Sequence, residues 1–382
     1  GPTEPGMGPL GITLVVDRLS ALMLVVSSIV LLAVVIYAIG QGIRDGDDRQ
    51  PVSIFLPTYL VLSAGVFMAF LAGDLFNLFV GFEVLLSASF VLLTIGASKE
   101  RVRAGITYVM VSMVSSMVFL FGIALVYAAT GTLNLAELAV RLESVPDGTR
   151  TALFAVLLVA FGIKAAVFPL SAWLPDSYPT APPAPVTAVF AGLLTKVGIY
   201  AIIRAHSLLF PGGKMDGGAL LVAGLLTMLI GIFGAIAQSD IKRLLSFTLV
   251  SHIGYMVFGI ALSNHLGMSG AIYYVAHHIL VQTTLFLVVG LIERQAGGVD
   301  AGASWWTRRG QPTARVRLRG ARTQSRWYPA VLGLHRESGA TGGRITGRVG
   351  VGLGSGRRQR HHQSPDAVCH HPGVDEGVLA LA

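Results

Sequence analysis

Ala160-Phe161-Gly162-Ile163-Lys164-Ala165-Ala166-Val167-Phe168-Pro169-Leu170-Ser171-Ala172-Trp173-Leu174-Pro175-Asp176 sets a lysine inside an apolar run and follows it with two prolines. A proline removes a backbone donor and clashes with the turn before it, so a helix that enters this stretch should break or end near Pro169 and Pro175. At membrane depth such a break is tolerated only where protein or water satisfies the freed backbone groups. The next stretch, Pro179-Thr180-Ala181-Pro182-Pro183-Ala184-Pro185, reads as an extended turn into a helix with proline in its first turn.

The surrounding sequence says that the setting is a membrane. Apolar residues make up 53% of the 382 and charged residues only 13%, and the mean hydropathy is +0.69, which is outside the range of soluble globular chains. A crossing needs about 20 apolar residues. Such runs recur from Val15 to Val289, too often for a leader peptide or a single anchor. Read against charge and Pro/Gly punctuation, they give about nine crossings, at 14–39, 53–72, 75–97, 104–129, 151–171, 184–205, 219–238, 244–263 and 268–292. Alternate connections differ in charge. One set carries Arg44, Arg49, Lys99, Arg101, Arg103, Lys242, Arg243 and Arg294, the other mainly Arg141, Arg150, Arg204 and Lys214, so the first set faces the cytoplasm. Between Leu133 and Val145, leucines at helical spacing oppose Glu137, Arg141 and Glu143, which predicts a short amphipathic helix on the outer surface. The single cysteine, Cys369, excludes an internal disulfide framework.

Ionisable side chains inside apolar spans are costly and are functional candidates for that reason. Here they are Glu83, nine residues after Asp74, then Lys164, Lys196 among small residues, His252, and the adjacent His277 and His278. The chemistry they suggest is a proton relay. A desolvated lysine releases its proton more readily, and a neighbouring carboxylate restores it. At about 4 Å and an effective dielectric near 20, one ion pair is worth roughly 4 kcal/mol, about a thousandfold in proton affinity. Histidines titrate near neutrality and suit the links between lysines. Plainer roles stand beside these. Asp74 and Asp176 lie near span ends and suit capping or loop anchoring, and His252 suits helix packing. His277 and His278 point about 100° apart, so at most one of them belongs to a path. Glu83, Lys164 and Lys196 are the hardest to read as structural. The spans hold no metal-spaced ligand set, phosphate-binding glycine loop or nucleophile elbow, so a transporter is expected rather than an enzyme, with no cofactor and no metal.

Three strings carry a resemblance: Asp74-Leu75-Phe76-Asn77-Leu78-Phe79-Val80-Gly81-Phe82-Glu83, the stretch from Lys164 to Asp176, and Asp240-Ile241-Lys242-Arg243-Leu244-Leu245-Ser246. Over about residues 10 to 296 the chain resembles the antiporter-like subunits shared by Mrp-type cation/proton antiporters and respiratory NADH dehydrogenase. With Tyr274-Val275-Ala276-His277-His278-Ile279-Leu280-Val281-Gln282-Thr283-Thr284-Leu285-Phe286-Leu287 it is most similar to the D-type subunits of the former. The resemblance implies an all-α, polytopic transmembrane helical bundle of two inverted repeats with broken helices, here truncated at both ends. It implies a proton-translocating membrane subunit in the bacterial inner (plasma) membrane, with other subunits of a hetero-oligomeric antiporter, H+, Na+ and the lipid bilayer as partners and no nucleic acid. Glu83 takes the place of the family's acidic partner, Lys164 of the lysine of the first broken helix, and Lys196 of the central relay lysine. Many relatives carry lysine where this chain has Gln282, which leaves a weaker link after the histidines. Rival readings are a proton-pumping subunit of NADH-quinone oxidoreductase or a membrane hydrogenase, a stand-alone solute carrier, and a structural scaffold.

Residues 1–13 read as an N-terminal segment, 14–296 as the transmembrane domain, and 297–382 as a disordered tail rich in Arg, Gly, His and Ser. The codons of Trp305-Trp306-Thr307, shifted by one base, must encode Gly-Gly. Those from Arg326 to Ser338 can encode Gly-Gly-Ile-Pro-Pro-Phe-Ser-Gly-Phe-Ile-Gly-Lys, similar to the family's second broken helix, and an apolar run fits between them. A frame change near Gly297 and Gly298 accounts for this; the alternative is a genuine basic tail for anionic lipid or nucleic acid. Resequencing the gene from the codon for Gln295 to that for Ser338 is expected to find one base gained or lost, and an unchanged reading defeats the idea of a sequencing artefact.

Overall fold

The computed structural model describes residues 12–41, 54–95, 99–179, 184–209 and 217–296. Tail residues 297–382, and with them the proposed frame change, lie outside the described residues, as do 1–11 and most of the proline turn, 180–183. Of two compact units, Gly1–His335 and Arg336–Ala382, only the first contains described residues.

Among the described residues the chain forms α1 (Arg18–Gly40), α2 (Phe55–Leu71), α3 (Leu75–Thr94), α4 (Lys99–Thr130), α5 (Leu135–Arg141), α6 (Asp147–Ala165), α7 (Trp173–Ser177), α8 (Ala184–Val189), α9 (Thr195–Arg204), α10 (Gly217–Ile236), α11 (Ile241–Ala261) and α12 (His265–Ala296). Two isolated bridges, Leu14 with Ala72 and Asp74 with Asn134, are its only β pairings there. Eight helical spans are long and apolar enough to cross a bilayer, with α2 a shorter ninth, so the chain is a multi-pass membrane protein. All nine apolar runs are helical, and α5 covers the amphipathic segment, burying Leu135 and Leu138.

Two spans differ from the expected ones. α6 stops at Ala165, six residues before the end of the expected crossing at 171, because Ala166 turns into the left-handed region at φ 59° and its N–H closes onto the Ile163 carbonyl. The crossing expected at 184–205 runs on to Leu209 and contains two π turns, Phe190–Leu194 and Ala205–Leu209. Within this span residues 185–203 are all buried, whereas α10 is buried over only 28% of its most apolar stretch. Around this central span, α2 packs on α3, α10 on α11, and α6 and α12 against the middle.

One end of the bundle is held by polar contacts. Backbone bonds join Val15 to Leu71, Gly73 to Thr13, Leu75 to Leu133 and Leu135 to Gly73 at 2.8–3.0 Å, lacing three connections together. Beside them, Asp17 caps α1 through the Ser20 N–H at 2.8 Å and receives both terminal nitrogens of Arg204 from the end of α9. Arg204 also donates to the Tyr200 hydroxyl at 2.9 Å and to Ser20 at 2.8 Å, and Tyr200 donates to the Phe70 carbonyl at 2.8 Å. The Arg204 hydrogen bond is the largest influence on the Asp17 carboxyl and brings it from an ordinary 3.8 down to about 2. A carboxyl depressed in the folded state contributes stability that is complete above its unfolded value and fades as pH falls through the folded one. The melting temperature of the detergent-solubilised protein should therefore exceed that of Asp17→Asn by a constant margin above about pH 5. The margin should shrink between about pH 4 and 2. A margin that ignores pH in that window removes the charge pairing from the account.

Candidate functional site

Lys164 lies in the last turn of α6, where the unpaired carbonyls form the negative end of the helix dipole. Its ammonium donates to the Ser116 hydroxyl of α4 at 3.0 Å, and that hydroxyl in turn donates to Glu83 Oε1 on α3. Lys164 Nζ and Glu83 Oε1 are 4.0 Å apart, so the serine bridges a pair that barely touches directly. The face of Phe82 sits 5.4 Å from the same ammonium, a further favourable contact for a cation. The break beyond Lys164 is closed by protein groups: the Trp173 indole N–H donates to the Ile163 carbonyl at 3.1 Å, and the Phe168 N–H to Thr227 at 3.0 Å. Pro169 lies in the connection after the break, joined to Phe168 by a cis peptide bond, and Pro175 lies within α7.

Lys196 is fully buried at the start of α9, directly after the first π turn. Its ammonium donates to the Ala191 carbonyl at 2.6 Å, within the turn whose wider winding alters the regular carbonyl pairing. Among the described residues no carboxylate lies within 4.0 Å of it. Small residues bring its neighbours close. A Cβ on Gly198 would sit 2.7 Å from the Ala165 nitrogen, so α9 meets α6 beside Lys164, and one on Gly192 would strike Thr283 of α12.

On the far side, α11 and α12 supply an imidazole and phenol cluster. His252 is hydrogen-bonded through Nδ1 to the Tyr274 hydroxyl, and its ring centroid lies 4.5 Å from that of His278. Both imidazoles are within electrostatic reach of Lys196. His278 is buried, with no hydrogen-bond partner for either ring nitrogen among the described residues. His277 points away, half-buried between the rings of Tyr273 and Tyr274. One turn beyond His278, Gln282 is fully buried and donates to the Leu245 carbonyl at 3.1 Å.

The structure thus joins Glu83 to Lys164, and His252 and His278 to the surroundings of Lys196, while His277 stacks on the outer side of the Tyr274 ring whose hydroxyl meets His252. Asp74 caps α3 through the Asn77 N–H at 2.6 Å, and Asp176 pairs with Arg243 at 3.0 Å, tying α7 to the start of α11. Sequence reasoning passed over Ser116, Tyr274 and the Arg204 cluster. Only the four-residue spacing of Ser112 and Ser116 in an apolar helix hinted at the bridge, and that pattern is ordinary in helix packing. Among the described residues no three His, Cys, Asp or Glu side chains gather as metal ligands.

The family model described as NADH:quinone oxidoreductase/Mrp antiporter, TM matches residues 72–302. The D-type subunit of the Na(+)/H(+) antiporter of Alkalihalophilus pseudofirmus is 44% identical over 295 residues, 76% of this chain and 59% of the relative. The Bacillus subtilis protein of the same name is 37% identical over 286 residues, 74% of this chain and 57% of the relative. The chain therefore spans a little over half the length of these curated relatives. The Mrp complex from Dietzia sp. DQ12-45-1b contains a chain that superposes with a TM-score of 0.68 at 38% identity, covering 74% of this chain and 52% of that one. A chain of an archaeal membrane-bound sulfane sulfur reductase shares the fold, with a TM-score of 0.69 at 23% identity, covering 90% and 78%.

A buried amine whose one hydrogen-bond partner among the described residues is a carbonyl contributes little to stability, since burying an unpaired polar or charged group costs more than one such bond returns. Lys196→Met is expected to raise the melting temperature in detergent, or leave it unchanged. A clear fall makes the lysine a structural residue.

Proposed function

The chain belongs to the NADH:quinone oxidoreductase/Mrp antiporter transmembrane family, and from that premise we propose that it serves as the proton-translocating membrane subunit of a multisubunit sodium/proton antiporter. The observation that carries this reading is the bridged contact of Glu83, Ser116 and Lys164 at the end of a broken helix. A carboxylate at 4.0 Å helps the lysine to hold its proton; drawn away, it lets the proton go. Ser116 couples the two groups in either state, because a hydroxyl both donates and accepts. Lys196, with no carboxylate within 4.0 Å among the described residues, is the next carrier, and the neighbouring His252 and His278 extend the line across the bundle. His277, Asp74, Asp176 and Gln282 stay outside this core of the relay, as flanking, capping or packing groups.

On this reading the partners are the other subunits of the antiporter, protons, sodium and the surrounding lipid, in the bacterial inner membrane. Residues 14–296 form the working domain. The relatives named as D-type subunits of sodium/proton antiporters favour this assignment. The rival, a proton-pumping subunit of a respiratory or hydrogenase complex, uses the same relay without sodium.

In everted vesicles carrying the assembled complex, sodium-dependent proton flux is expected to vanish in Glu83→Ala, Lys164→Ala and Lys196→Ala while the subunits still co-purify. Ser116→Ala should lose part of the flux. Unchanged flux in the lysine variants sinks the relay, and proton movement indifferent to sodium in the wild type favours the rival.

A further inference from the structure

The break after Lys164 is tied, through α7, to a pair of ionic contacts at the first turn of α11. Trp173 and Asp176 both belong to α7, a helix of five residues, Trp173–Ser177, packed on α4 and α11. A helix so short has few internal hydrogen bonds to hold it, so its side chains set its place. Trp173 reaches inward. Its ring lies 5.6 Å from that of Tyr108 on α4, and its indole N–H donates to the Ile163 carbonyl at 3.1 Å. That carbonyl shares a planar peptide group with the nitrogen and Cα of Lys164, so the indole holds the plane from which the lysine side chain springs. Asp176 reaches outward to Arg243 at 3.0 Å, with 61% and 48% of the two side chains exposed. The turn that carries Arg243 is itself fixed. Asp240 accepts from the Arg243 N–H at 2.7 Å, and Lys242 pairs with Glu293 of α12 at 2.6 Å, a contact that is mostly buried.

We infer that Arg243 and Asp176 are positioning residues for Lys164, acting through Trp173. The inference rests on the relay reading of Lys164 and assigns the pair no proton of its own to carry. An ion pair this exposed contributes little to stability, so its effect lies in placement. Lys164 Nζ stands 3.0 Å from the Ser116 hydroxyl and 4.0 Å from Glu83 Oε1, separations at which a shift of about 1 Å decides whether a contact is made. With the pair removed, α7 is free to slip along α11, the indole leaves Ile163, and the peptide plane that carries Lys164 can tilt. The backbone N–H of Ala166 still reaches the same carbonyl at 3.1 Å, so the helix end keeps a partner while its aim is lost. Through Lys242 the same turn of α11 also grips α12. One turn therefore holds both the segment behind Lys164 and the helix that carries His278.

The test uses the assembled complex in vesicles. Asp176→Asn and Arg243→Gln each remove one charge and keep the shape; Trp173→Phe keeps an aromatic ring and removes the indole N–H. Sodium-dependent proton flux is expected to fall about fivefold in either charge variant, the upper end for an exposed ion pair, and about tenfold in Trp173→Phe, the effect of one hydrogen bond. The melting temperature of the detergent-solubilised complex should stay at the wild-type value in the charge variants. Because the pair acts through the indole, Asp176→Asn combined with Trp173→Phe should be no worse than Trp173→Phe alone, whereas independent sites give losses that multiply to about fiftyfold. Exchanging the charges, Asp176→Arg with Arg243→Asp, should restore most of the flux. Multiplying losses, wild-type flux in both charge variants, or an assembled charge exchange that restores nothing overturns the proposal. If Lys164→Ala also leaves flux intact, the relay itself has failed; if it abolishes flux while Asp176→Asn and Arg243→Gln do not lower it, only the positioning role has.

Discussion

A bilayer offers no hydrogen bonds to a broken helix, so the break after Ala165 depends on what the protein supplies to it. The supply is specific: a left-handed residue at Ala166, an indole N–H on the Ile163 carbonyl, and a threonine hydroxyl for the Phe168 N–H. Each donor or acceptor comes from a different part of the chain, so the break is a meeting point of α6, α7 and α10 rather than a local irregularity. What the break achieves is position. Lys164 ends up at the end of a helix instead of in its middle, where a serine and a glutamate from two other helices reach it.

The two lysines are treated in opposite ways. Lys164 has a hydroxyl bridge, a nearby carboxylate and an aromatic face. Lys196 has one carbonyl, presented by a turn wound more widely than an α-helix. Close glycine contacts let their helices touch while the ammonium groups keep separate surroundings. In the relay proposed above, carriers with unlike environments give a proton a reason to move between them, whereas two identical ones would share it.

The helices were legible in the sequence because each apolar run of about 20 residues has only one low-cost conformation in lipid. The break was legible for an equally local reason, the prolines, although the helix ends several residues before Pro169 because the chain turns at Ala166. What stayed hidden joins distant positions. Ser116 reads as one of many small polar residues that help helices pack, and its role exists only once Glu83 and Lys164 stand on either side. Asp17 and Arg204 are 187 residues apart, with nothing in either neighbourhood that names the other. The π turns have no compositional mark, since Phe190-Ala191-Gly192-Leu193-Leu194 would serve equally well in an α-helix.

The same π turns give α9 a mechanical character. It is a rod of ten residues set between two compliant joints, Phe190–Leu194 and Ala205–Leu209. Its Arg204 end is moored to α1 by the bidentate grip on Asp17. A rod moored at one end resists sliding along its axis, but joints that can exchange one hydrogen-bond register for another permit it to twist. Lys196 sits at the unmoored end, beside the first joint. Any turn of this segment about its axis would re-aim the amine, and would have to be accommodated by Ala165 and Thr283, which Gly198 and Gly192 already meet closely.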